Sequence, residues 1–160
     1  VNDRERSVCE PVLLGWREWL ALPQLGIAEI KAKLDTGART SALHVDTLET
    51  FERDGATWLR FRISATGRRQ MPSIQCEAPA IARRAVMDSG GHSTQRWFIR
   101  THIDLGGVGF DAEINLTNRR NMLFPMLLGR SALSRPLPGK RFLLDPALSY
   151  RCGRPARARL

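Results

Sequence analysis

Apolar and polar positions alternate in short segments along most of this chain, and turn residues close each segment within about a dozen positions, the spacing of an all-β barrel or sandwich. Val12 to Leu22 is an apolar, strand-like run, and Pro23-Gln24-Leu25-Gly26 turns it into Ile27 to Leu34, which predicts a hairpin. Thr57 to Ser64 places Leu59, Phe61 and Ile63 on one face and Arg60 and Arg62 on the other, a strand with one wet side. Arg96 to Leu105 and Val108 to Thr117 flank Gly106-Gly107, predicting a second hairpin. In its second arm Phe110, Ala112, Ile114 and Leu116 share one face, and Asp111, Glu113 and Asn115 the polar one. One helix is predicted, over Gly129 to Leu133 after the apolar strand Met126 to Leu128, and Pro136 limits it to a turn or two. Lys140 to Asp145 gives a last strand. The expected fold class is therefore all-β with one short helix near the C-terminus. The chain has no internal repeat, which excludes a fused two-lobed enzyme with two copies of any site.

A length of 160 residues suits one hydrophobic core. The expected organisation is a flexible N-terminus over 1–10, a folded body over 11–150 and a basic, disordered tail over 151–160. No stretch approaches the roughly 20 apolar residues of a membrane span, and Val1 to Arg6 lacks the apolar run of a secretory signal. These features predict a soluble, cytoplasmic protein with no membrane partner. The formal charge of +9 raises nucleic acid as a partner, but Arg151, Arg154, Arg157 and Arg159 of the Pro/Gly/Ala-containing tail supply part of it. Aromatic residues do not interleave with the basic ones along the chain, so a base-stacking platform is not expected. An acidic peptide fits the remaining basic bias better. Cys9, Cys76 and Cys152 form no Cys-x-x-Cys pair, and His44, His92 and His102 no His-Glu-x-x-His arrangement. Neither a metal site nor a cofactor is expected.

The chemistry lies in Leu34-Asp35-Thr36-Gly37-Ala38, where a carboxylate ends a predicted strand beside a hydroxyl and a residue free of Cβ constraints. Hydrolysis of an unactivated amide by water needs one group to take the water's proton and another to protonate the carbonyl oxygen. Two carboxylates sharing one proton supply both. Thr36 can brace the loop and Gly37 lets backbone approach the carboxylates. The chain has one such loop, so the second carboxylate must come from a second copy, and a homodimer is expected. Asp-Thr-Gly alone is too short to be specific, and a plain turn with an Asp cap would use the same residues.

Its context adds weight: Met126-Leu127-Leu128-Gly129-Arg130-Ser131-Ala132-Leu133 runs from an apolar strand through glycine into a short helix. With the Asp-Thr-Gly-Ala loop this resembles the retropepsins, homodimeric aspartic peptidases in which two identical subunits each donate one aspartate. The interval from Gly37 to Gly129 is longer than in that family, which implies insertions. A resemblance over nearly the whole chain is carried by Gly15-Trp16-Arg17-Glu18-Trp19, Lys31 to His44, Asp88-Ser89-Gly90-Gly91-His92, Leu116-Thr117-Asn118-Arg119, Met126 to Leu133 and Asp145 to Tyr150. These blocks are similar to the bacterial, retropepsin-like family called ATP-dependent zinc proteases, which is associated with RimK-type ATP-grasp ligases that add glutamates to protein ends. The resemblance implies an acid-protease barrel, catalysis by Asp35, Thr36 and Gly37, and a Glu-rich or polyglutamylated protein substrate. The family name fits the residues poorly, since no phosphate-loop motif and no zinc-ligand spacing is present.

Further candidates have two readings each. Arg39 stands close to Asp35 in sequence and would grip an acidic substrate group, or is a solvated surface arginine. His44 lines the cleft or is a hydrogen-bonded structural histidine. Asp88 to His92, followed by Arg96, forms either a flap that closes over substrate or an ordinary turn. Asn118 and Arg119 gain a substrate-binding role from the resemblance alone, and Glu113 reads as surface charge. Trp16 and Trp19 are expected to pack. Two other functions remain open: a non-catalytic acidic-peptide-binding module that regulates an ATP-grasp ligase, and a zinc-dependent peptidase as the family name says.

Overall fold

The structure is a computed structural model that describes residues 10–64, 73–118, 123–134 and 139–155. Its elements in chain order are β1 (Glu10–Leu14), β2 (Arg17–Leu22), a 3-10 turn (Pro23–Leu25), β3 (Ile27–Asp35), β4 (Ser41–His44), β5 (Thr47–Arg53), β6 (Ala56–Ile63), β7 (Ile74–Pro79), β8 (Ala82–Met87), β9 (Ser93–Leu105), β10 (Val108–Thr117), β11 (Met126–Gly129), α1 (Arg130–Leu133) and β12 (Lys140–Leu144). The expected all-β class with one short helix holds. Strands run in the order β10-β4-β11-β3-β2-β9 and close through a β9–β10 pairing, a six-stranded barrel with β8 added on the outside of β9. Closure between β2 and β9 is thin, with Ala21 opposite Asp104 in register.

The predicted hairpins form. β2 and β3 pair antiparallel, joined by the 3-10 turn that Pro23 opens and Gly26 closes at φ 72°, a conformation costly for any residue with a Cβ. β9 and β10 pair from Leu105–Val108 outward around Gly106 and Gly107. The alternation read in β6 and β10 is the burial observed: Leu59, Phe61 and Ile63, and Phe110, Ala112, Ile114 and Leu116, all lie in the core.

Three expectations change. The run Val12 to Leu22 is two strands, because the chain bends at Gly15-Trp16: the Trp16 N–H donates to Leu148 O at 3.0 Å and the Trp16 carbonyl accepts from Leu34 at 2.9 Å, and a Cβ on Gly15 would collide with the Leu148 backbone. Freed from β2, β1 pairs in parallel with β12. Asn115, read on the polar face, is buried. The basic segment after Tyr150 is not loose at its start. Buried Glu18 accepts the Cys152 N–H at 3.2 Å and the Gly15 N–H at 3.3 Å, and Arg154 pairs with Glu29 at 3.1 Å. Residues 156–160, like 1–9, lie outside the described residues.

Part of the long interval between Gly37 and Gly129 is a separate antiparallel sheet, β5-β6-β7. Its inner face packs Leu59, Phe61, Ile63, Cys76 and Ala78 into the common core. Its outer face carries Arg60 bonded to Glu77 at 2.9 Å and to Glu49 at 3.1 Å.

Candidate active site

β3 delivers Asp35 to the site. Ala32 and Leu34 point into the core while Lys31, Lys33 and Asp35 take the alternate positions. β11 lies parallel to β3 with Gly129 opposite Asp35, so the loop after Asp35 folds directly over the strand-to-helix junction. Arg130 N–H donates to Ala38 O at 2.8 Å and Ser131 N–H to Arg39 O at 3.0 Å. The Arg130 guanidinium returns to Thr36 O at 2.9 Å and Gly37 O at 3.4 Å. From the other side Ser41 Oγ accepts the Gly129 N–H at 2.9 Å. A Cβ on Gly129 would stand 2.6 Å from the Thr40 carbonyl carbon and oxygen and 3.1 Å from Ala38 O, so only glycine lets the two segments meet this closely.

Within that frame the Asp35 carboxylate is oriented by backbone alone. Its Oδ1 accepts the Gly37 N–H at 3.0 Å and the Ala38 N–H at 3.2 Å. Its second oxygen has no hydrogen bond from the described residues and is open to water or to another carboxyl. Asp35 is half-buried, and Thr36 and Gly37 are exposed. A carboxylate held by one oxygen and presented by the other can take a proton from water or share one with a second acid.

The remaining candidates divide. Arg39 is exposed on the same loop as Asp35. Arg96 reaches the site through an intermediary that the sequence did not single out: its Nη1 donates to Asn115 Oδ1 at 3.1 Å, and Asn115 Nδ2 donates to Ser41 O at 2.8 Å and Thr40 Oγ1 at 3.4 Å. Arg96 belongs to the β8–β9 hairpin, whose Ser93–Trp97 arm pairs with β8 beyond the last β10 contact at Phe98. His92 sits at the tip of that hairpin, exposed, 3.6 Å from Asp88 Oδ1. His44 ends β4, roughly 10 Å of strand from Ser41, where its Nε2 lies 3.4 Å from Asp46 Oδ1. Asn118 donates to Asp46 O at 3.3 Å, so His44 and Asn118 share a neighbourhood apart from the Asp35 loop. Arg119 lies outside the described residues. Glu113 pairs with Arg84 at 3.0 Å. Sequence reasoning missed Ser41 and Asn115. Asn115 falls on the alternating polar face of β10, so its polarity gave no signal that it is buried.

Among the described residues no three of His, Cys, Asp and Glu converge as metal ligands, and no helix is long and apolar enough to cross a membrane.

Comparison with known proteins agrees with this geometry. The family model described as RimB-like, retropepsin-like aspartic endopeptidase RimB, matches residues 13–154. Among curated proteins, probable alpha-L-glutamate ligases of Desulfotalea psychrophila and Shewanella pealeana are each 38% identical over 141 residues, or 88% of this chain. That stretch is 29% and 30% of the two relatives, so the chain spans under a third of their length. A crystal structure of a Legionella pneumophila protein of unknown function (DUF785) superposes with a TM-score of 0.71 at 27% identity, over 88% of this chain and 98% of that one.

Proposed function

This chain belongs to the RimB-like family of retropepsin-like aspartic endopeptidases, and from that premise we propose that it is an aspartic peptidase whose site is completed by Asp35 of a second copy. The observation that carries the reading is the Asp35 carboxylate itself, fixed through Oδ1 by two backbone N–H groups with its other oxygen left open.

Two such carboxyls facing across a two-fold axis hold a single proton between them, because like charges about 3 Å apart ionise together only at high cost. The ionised member takes a proton from water as the water oxygen attacks the carbonyl carbon of the scissile amide. The protonated member gives its proton to the carbonyl oxygen. Collapse of the tetrahedral diol breaks the C–N bond: the proton taken from water passes to the departing nitrogen while a diol hydroxyl returns its proton to the other carboxylate, so the dyad regains its single proton and its starting charge. The chain's backbone supplies the orientation. Because Oδ1 is occupied, Oδ2 is the atom that exchanges protons.

The proposed substrate is a peptide or isopeptide amide in a Glu-rich tail. The basic bias of the chain supports this, as do relatives in which a matching segment belongs to proteins named as probable alpha-L-glutamate ligases. The same observation favours a second reading, a non-catalytic module that holds an acidic tail for an ATP-grasp ligase. Assembly separates the two, because one loop per chain makes a C2 dimer a condition of catalysis. Sedimentation equilibrium run beside a cleavage assay is expected to show hydrolysis rising with the dimer fraction. A chain that stays monomeric and still hydrolyses would refute the shared site.

A further inference from the structure

Among the described residues, some cations are paired with carboxylates and others are not. Arg53, Arg60, Arg84, Arg100, Arg154 and Lys140 each stand within ion-pair distance of a carboxylate. Arg17, Lys31 and Lys33 have no carboxylate partner among the described residues. These three share the outer face of the β2–β3 hairpin. Arg17 is the cross-strand partner of Lys33, and Trp19 that of Lys31. Alternation along β3 carries the row from Lys31 through Lys33 to Asp35.

Two of the three, Arg17 and Lys31, are held in place by rings rather than by counter-charge. The Arg17 guanidinium lies 4.6 Å from the Trp16 ring centroid and 4.9 Å from that of Tyr150, with Nε donating to Ser149 Oγ at 3.1 Å. Lys31 Nζ is 5.2 Å from the Trp19 ring. Stacking uses the face of a guanidinium and leaves its in-plane N–H groups for a carboxylate, and restraint of a long side chain before binding lowers the entropy lost on binding. Sequence alone did not reveal this interleaving of rings and cations, because it runs across strands.

We propose that Arg17, Lys33 and Lys31 form a carboxylate-reading row that binds an extended acidic peptide beside Asp35 and makes acidity the substrate requirement. The specificity half rests on Asp35 being the cleavage site; the binding half stands without it. In an extended peptide alternate side chains project to one side about every 6.6 Å, the same step that separates Lys31, Lys33 and Asp35 along β3. A run of glutamates therefore sets successive same-side carboxylates at Lys31 and Lys33, with Arg17 beside Lys33 across the strands. Single-stranded nucleic acid also carries negative charge, but it binds through open ring faces. Here the chain's own cations cover the rings: Arg154 joins Lys31 over Trp19, which is 7% exposed.

The test is fluorescence anisotropy with a labelled octaglutamate peptide, an octaglutamine control and a single-stranded octanucleotide, on full-length protein carrying Asp35→Asn so that nothing is cleaved. Octaglutamate is expected to bind, weakening with salt, and octaglutamine not to. Lys33→Gln should weaken binding about fivefold and Lys31→Gln with Lys33→Gln at least about tenfold. Arg141→Gln, an exposed cation on β12, removes the same charge elsewhere and should leave binding unchanged. In an active background Lys33→Gln should raise KM for an acidic substrate with little change in kcat. Absence of octaglutamate binding overturns the proposal, as does an equal loss in Arg141→Gln. An octanucleotide that binds as tightly and competes with octaglutamate also overturns it. A protein that binds octaglutamate through this row but cleaves nothing would keep the row and remove the peptidase reading.

Discussion

Asn115 stands where the alternation of β10 calls for a wet side chain, yet it is 1% exposed because both ends of its amide are engaged: Oδ1 accepts from Arg96, and Nδ2 donates to Ser41 O and Thr40 Oγ1. It ties the β8–β9 hairpin to the segment that follows the Asp35 loop. Asn115→Ala strips these buried groups of their partner, and unfolding in urea should show a loss of about 1–3 kcal/mol; a loss under about 0.5 kcal/mol would mean that water replaces the amide. Cys76 is the second residue whose surroundings outweigh its sequence. It is 4% exposed, donates its S–H to Leu25 O at 3.3 Å, and burial pushes its thiol from 9.0 up to about 11. Because the folded state holds the proton more tightly, this contribution to stability is complete below pH 9 and is lost as pH rises through about 11. Iodoacetamide at pH 8, read by mass spectrometry, should leave Cys76 unmodified in the native protein and label it in urea. Labelling at the unfolded rate would contradict the assignment. The Asp35 motif itself was visible in the sequence, because its chemistry is carried by adjacent residues. Asn115 was not, because its partners lie 19 and 74 positions away.

At the scale of elements, the frame of the site is the parallel β3–β11 pair with the 35–40 loop folded over Gly129. Gly129→Ala would press a methyl group into the Thr40 and Ala38 backbone, neither of which can rotate away. The expected cost is at least about 1–3 kcal/mol, seen as a lower melting temperature together with loss of any cleavage. An unchanged melt would show that the loop does not rest on this glycine. Elements with a clean period of two, β6 and β10, were legible in the sequence, as was the Gly-Gly hairpin between β9 and β10. The β5–β6 hairpin was missed although its turn, Asp54-Gly55, is written in the chain; both residues take positive φ, 50° and 76°, the conformation that such a dipeptide favours. The β1–β12 pairing could not be read, since nothing local links Glu10–Leu14 to Lys140–Leu144. The break at Gly15-Trp16 hid for a similar reason: it is set by Leu148, more than a hundred residues on.

The described residues form one barrel with two small sheets beside it, and one Asp-Thr-Gly loop stands at the end of a barrel strand, whereas the proposed chemistry needs two. This separates the role of Asp35 from that of its surroundings. The loop is held by Arg130, Ser41 and Gly129, none of which depends on the carboxylate being charged. The most direct measurement is therefore cleavage of a protein bearing a C-terminal glutamate tail by wild-type chain and by Asp35→Asn, each accompanied by a thermal melt and a sedimentation profile. In a dimer the substitution removes both acids at once, so the rate should fall by more than the roughly 10²- to 10⁴-fold usual for a single acid–base group. Folding should persist, since an amide oxygen can still accept from Gly37 and Ala38. A variant that folds, dimerises and trims the tail at the wild-type rate would contradict the account, and Asp35 would be a structural turn residue.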